Sequence, residues 1–273
     1  MKSRTINNIV VHFPPEEEQT ADVIAEVCEN VPVFARQAWN LPMPRDCCIY
    51  VMASWLGFYV RSAPPVWRIY LAATLPLWSY RVQRMWPYAG AWTQRFGKKV
   101  AIGIKPPRLW EQSDKTIGRL IMVPEPDVKA KIRAVACHEL VHACSAHLRL
   151  PPWLNEGIAM ASVDQLLGKP TVRQDTLQLM QRSGPKPLPT GNRGISDMDV
   201  GNIAYEYVRG YWLVRYLEET HPGLLAGMLS KRHRAAWIED YLAVQIGLEQ
   251  GCLWSSLDSV IADHFKSSSD ALA

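Results

Sequence analysis

The sequence predicts an α+β protein: a small sheet with helices in the first half, a mainly helical second half, and one motif-bearing helix between them. Three observations lead there. Short apolar runs of strand length, closed by prolines or turn residues, fall before position 126. Segments with apolar residues at helical spacing dominate after it. And 273 residues with 48% apolar and 21% charged content are enough for a sizeable core. We therefore divide the chain into an α/β subdomain, 1–126, and a helical subdomain, 127–273, that carries the chemistry.

Taken in order, Ile9 to Phe13 is an apolar run stopped by Pro14 and Pro15, expected as an edge strand. Residues 16–39 read as a helix, opened by Glu16, Glu17 and Glu18, whose charge suits a helix N-terminus. Pro32 is expected to split it. Residues 47–52 form a buried strand after a proline-containing turn. Residues 54–91 are rich in Trp, Tyr and Leu, broken by prolines and interrupted by Arg61, Arg68, Arg81 and Arg84. They read as an aromatic-rich helical insertion, and also as a surface that lies on a membrane or clasps a partner. No uncharged run there reaches the roughly 18 residues that span a bilayer.

Lys99 to Ile104 is a strand, 108–118 a polar loop, and 119–123 a second short strand closed by Pro124. Asp127 is placed to cap a helix over 128–148. A second helix follows over 153–167, and a short one over 172–182. Residues 183–202, rich in Gly, Pro, Asn and Asp, form the longest loop; with 105–118 they are expected to shape any cleft. Helices at 203–220, 224–234, 236–248 and 253–265 close the chain before a frayed tail at 266–273.

A net charge of +4 without a recognition motif argues against nucleic acid as a partner. The six cysteines show no C-x-x-C pair, and the adjacent Cys47 and Cys48 suit reduced thiols. No apolar signal core precedes Pro14, so the expected compartment is the cytoplasm.

The chemistry-bearing stretch is His138-Glu139-Leu140-Val141-His142. Positions four apart on a helix share a face, so His138 and His142 can direct two imidazoles at one metal ion. Glu139 lies between them and can reach a water on that ion as general base. A third ligand is needed. His147 lies well round the helix, and Ser145 and Leu148 stand where a metzincin has its Gly and third His. Glu156, early in an otherwise apolar helix, is the better candidate, because a carboxylate there needs a partner. Cys137 and Cys144 flank the motif and read as core packing.

H-E-L-V-H followed by W-L-N-E-G-I-A resembles the gluzincins, the thermolysin-like and aminopeptidase-like zinc metallopeptidases, over about residues 99–217. The resemblance implies a zincin-like fold with strands before the motif helix, Zn²⁺ held by His138, His142 and Glu156, and a peptide or protein substrate. Tyr207, in Y-V-R-G-Y-W-L, is similar to the tyrosine that stabilises the oxyanion in the aminopeptidase-like branch; Tyr205 is the alternative. Two features depart from the pattern. Met160 stands where the thermolysin branch keeps an Asp that orients a His, leaving Asp164 as a distant substitute. The exopeptidase G-x-M-E-N motif is absent. A rival reading keeps the scaffold but gives it a non-catalytic role: binding zinc for stability, or meeting a partner or membrane through 54–91.

Overall fold

The computed structural model describes residues 1–183 and 200–270. It is α+β, with a five-stranded mixed sheet in the order β1-β2-β3-β5-β4. The strands are β1 Lys2–Ile6, β2 Ile9–Phe13, β3 Asp46–Val51, β4 Ala91–Phe96 and β5 Lys99–Ile104. β2, β3 and β5 run parallel; β1 and β4 are antiparallel edges. The parallel strands are the apolar ones, as double-sided burial requires, and Ile9, Val11, Ile49, Val100, Ile102 and Ile104 are buried.

Helix α1, Glu18–Trp39, crosses from β2 to β3. It runs unbroken through Pro32, contrary to the expected split. An interior proline costs about 3 kcal/mol, but α1 buries Ala21, Ile24, Val27, Cys28, Val31 and Ala35 along one face while Pro32 sits on a half-buried flank. Burial on both sides of the proline holds the two halves in line. The helix ends with Asn40 in the left-handed region.

Residues 54–91 form three short helices: α2 Trp55–Ser62, α3 Pro65–Ala73 and α4 Leu75–Met85. Their inner faces close a small separate core of Phe58, Tyr59, Val82 and Phe96 with Tyr50 and Met52. Lys105, just past β5, is buried and donates to the Trp86 carbonyl, with its ammonium 4.2 Å from the Trp86 ring centroid. It fastens the end of the insertion to the sheet.

Two expectations about strands fail. Ile9 to Phe13 is interior, because β1 pairs outside it. Residues 119–123 are a helical turn, Arg119–Ile121, followed by one bridge from Met122 to Val172. The expected polar loop at 108–118 is a series of helical turns.

Asp127 caps α5, Val128–Ser145, accepting from the Lys129 amide at 2.9 Å. After a Pro151-Pro152 corner comes α6, Pro152–Leu167, then α7, Leu177–Ser183. The long expected loop lies, for 184–199, outside the described residues. Beyond it are α8 Val200–Thr220, α9 Leu224–Met228, α10 Ala235–Gln245 and α11 Leu253–Asp270. The helix through 266–270 occupies most of the expected frayed tail; 271–273 lie outside the described residues. One apolar core runs from Ile9 to Phe265 and includes residues on both sides of position 126.

α6 and the second half of α5 are buried on nearly all sides because each lies between other elements: α1 and the sheet around α5, and α5 and α8 around α6. α6 and α8 approach most closely at two glycines. A Cβ on Gly157 would stand 2.3 Å from the Gly210 carbonyl oxygen, and one on Gly210 only 1.9 Å from that of Trp153.

Candidate metal centre

The His138 and His142 Nε2 atoms lie 2.9 Å apart on the buried face of α5. Glu156, on the first turns of α6, directs Oε2 at His138 Nε2 (3.2 Å) and Oε1 at His142 Nε2 (3.3 Å). The Pro151-Pro152 corner folds α6 back so that Glu156 faces the α5 pair. These three side chains are the group able to hold a metal among the described residues.

The donor set fits zinc. Bonds of about 2.0–2.1 Å in tetrahedral array put ligand atoms roughly 3.3 Å apart, close to the two His–Glu separations. The charges of the cluster are tightly coupled. Burial opposes charge on His142, yet Glu156, with Glu139 behind it, pushes its pKa up to about 9. Burial likewise opposes ionisation of Glu156, but the imidazoles of His142 and His138 hold it well below the carboxylate range. At 2.9 Å one ring nitrogen donates a proton and the other accepts it; a cation bound by both lone pairs would take that proton's place.

Glu139 is buried beside this group and accepts a 2.6 Å hydrogen bond from the Thr93 hydroxyl on β4. Two residues on, and so on the same face of β4, Arg95 donates to the Ala146 carbonyl at the end of α5 (3.1 Å). The edge strand thus pins the motif helix in its middle and at its C-terminus. Neither contact was legible in the sequence, because β4 alternates too weakly to be read as a strand.

Tyr207 reaches the site from α8. Burial first, then the negative fields of Glu156, Glu206 and Glu139, raise its hydroxyl well above the usual phenol range, and Glu156 accepts its hydrogen bond. It therefore stays protonated, as a donor. Tyr205, the alternative, faces elsewhere: its hydroxyl donates to Asp258 (2.9 Å), which also pairs with the buried Arg209. Asp164 does not orient a ligand histidine. Its oxygens accept from the Thr171 amide and hydroxyl (2.7 and 2.6 Å) and the Tyr211 hydroxyl (2.6 Å). That position is taken by Asn155. Its amide stands beside His142 and favours the protonated ring, although His142 Nδ1 has no hydrogen bond of good geometry. The Ser145 hydroxyl in turn donates to Asn155 at 2.7 Å.

His147 bonds through Nδ1 to the Cys144 carbonyl, closing the helix end and not the metal group. Burial pushes the Cys137 and Cys144 thiols up to about 12, and neither belongs to the group that could hold a metal. Glu206 is a residue the sequence reading missed. Fully buried, with no hydrogen-bond partner for either oxygen among the described residues, it is pushed to about 7 by burial and by Glu156. A carboxylate flanked by two tyrosines in an apolar helix was the available signal.

The group opens into a cleft of about 1950 Å³. Its walls include β4, residues 113–119, α4 through Val82 and Met85, and residues 232–235. Residues 113–118 belong to a stretch expected to shape it. No protein-family model matches the chain, and no curated protein is significantly similar to it.

Proposed function

We propose that this chain is a zinc-dependent metallopeptidase of gluzincin type, with a zincin-like fold, hydrolysing a peptide or protein substrate bound in the cleft. The observation that carries the reading is the convergence of His138, His142 and Glu156 on one point, with Glu139 and Tyr207 beside the same group. His138, His142 and Glu156 would hold Zn²⁺, which, when bound, would acidify a water and polarise a carbonyl.

Glu139 takes the proton from the attacking water and returns it to the leaving amine. Its Thr93 hydrogen bond leaves one oxygen for that transfer and fixes the rotamer. The Tyr207 hydroxyl, kept protonated by its surroundings, donates to the oxygen that gains charge as water adds to the carbonyl. Ser145 and Asn155 position the His142 ring. All six cysteines are unpaired, which supports a reducing, cytoplasmic setting. Among the described residues, no helix is long and apolar enough to cross a membrane.

The test is metal analysis of the purified protein together with cleavage of a peptide library, with and without chelator. Stoichiometric zinc and chelator-sensitive cleavage are expected. Zinc without cleavage of any peptide would favour the non-catalytic scaffold, and absence of zinc affinity would remove the metal centre itself.

A further inference from the structure

The insertion α2–α4 carries more apolar surface than its packing uses. Inward, it closes the small core against β3, β4 and β5. Outward, each helix shows a second apolar stripe to solvent. Leu56 and Val60 lie four apart on α2; Val66, Ile69 and Tyr70 at i, i+3, i+4 on α3; Leu77 and Tyr80 three apart on α4. Val66 and Leu77 are each 78% exposed and Ile69 73%, values at which burying them in the fold is excluded. Scattered exposed apolar residues are ordinary; exposed apolar stripes on each of three consecutive helices point to an interaction surface.

Charge decides what it meets. Every charged side chain between Asp46 and Glu111 is a lysine or an arginine. Arg61, Arg68 and Arg84 are exposed on the same three helices. A second copy docking face to face would set arginine against arginine with no carboxylate to relieve it. Helices with an apolar face, interleaved Trp and Tyr and a basic rim instead match the boundary of a bilayer carrying anionic headgroups.

We propose that α2–α4 docks on an anionic lipid surface, lying in the interface without crossing it. α3 and α4 form one wall of the cleft through Trp67, Trp78, Val82 and Met85, so docking brings the cleft close to the lipid plane. The proposal stands independently of the peptidase reading.

It is tested by sedimenting the full chain with vesicles of phosphatidylcholine, alone or mixed with phosphatidylglycerol. The wild type should bind the anionic vesicles at least about tenfold more strongly than the neutral ones, and less strongly as salt rises. V66E/I69E/L77E should lose binding while keeping the wild-type melting curve, since all three side chains point to solvent. R68Q/R84Q should lose the anionic preference. Binding by the triple variant equal to wild type, or no sedimentation with either vesicle, overturns the proposal. So does a wild-type dimer in sedimentation equilibrium that V66E/I69E/L77E dissolves, if vesicle binding is absent.

Discussion

Replacing Gly210 by alanine should reverse the sign that helix propensity gives. In an exposed helix the change stabilises by about 1 kcal/mol. In α8 the new Cβ would lie 1.9 Å from the Trp153 carbonyl oxygen and 2.8 Å from its carbon. Both are backbone atoms and cannot rotate away, so α6 and α8 must separate by roughly 1.5 Å to restore van der Waals contact. Overpacking of this kind costs roughly 1–3 kcal/mol, which equals or exceeds the propensity gain. A net loss of about 0–2 kcal/mol lowers the melting temperature by up to roughly 8 °C in a chain of this size. The effect on the site is larger. Gly157 follows Glu156, and Gly210 lies one turn after Tyr207, so the glycine contact sets the distance between ligand and donor. A misplacement near 1 Å can cost about 100-fold in rate. Thermal melting followed by circular dichroism, with turnover of a wild-type peptide substrate, reads both effects. Gly227→Ala is the control: nothing lies within 4 Å of its Cβ, and it should be neutral or slightly stabilising. Gly210→Ala melting at or above wild type with unchanged turnover would refute the reasoning.

Glu139→Gln should keep zinc and lose hydrolysis by about 100- to 10,000-fold, read as metal content and kcat; wild-type turnover would remove the general-base role. Tyr207→Phe should keep zinc and lower kcat by about 100-fold or more, whereas a change in KM alone would make it a binding residue. Glu156→Ala should abolish metal binding, measured by competition with a chromophoric chelator; full occupancy would reassign the third ligand. Burial lowers the Lys105 pKa to about 8, so the folded state resists its charge. The unfolded chain then binds more protons between about pH 8 and 10.5, and the Lys105 contribution to stability rises with pH across that window. Lys105→Met should flatten this rise in urea unfolding, and an unaltered slope would mean that Lys105 does not titrate there.

The parallel strands and the long helices were legible because burial writes itself into residue choice. β2, β3 and β5 are apolar runs, and α1, α5, α6 and α8 show either helical spacing or apolar character all round. The two edge strands were not. β1 reads Lys-Ser-Arg-Thr-Ile and is largely exposed, and β4 reads Ala-Trp-Thr-Gln-Arg-Phe with most positions half-buried. Neither face of such a strand selects strongly for apolar residues, so the period-two signal fades. Missing β1 made β2 look like an edge. Missing β4 hid Thr93 and Arg95, the contacts that hold the motif helix. Residues 119–123 erred the other way, since a short apolar run suits a helical turn as well as a strand. At the site, His138 and His142 come together as their spacing suggested, and Glu156 and Tyr207 lie beside them, where the gluzincin resemblance pointed. What spacing could not supply was the surroundings: Asn155 where Asp164 was considered, and Glu206, whose burial only the fold reveals.

The three metal donors all lie between residues 138 and 156, on two helices joined by a short corner, whereas Tyr207 comes from α8, beyond a long connection. On the proposed function, capturing an ion would be a local event in the chain, available as soon as α5 and α6 have paired, while turnover would wait on a distant helix. A newly made or partly opened molecule could carry a full complement of zinc and remain inert, protecting its surroundings from premature cleavage. Docking of α8 across the two glycines would be the step that arms it.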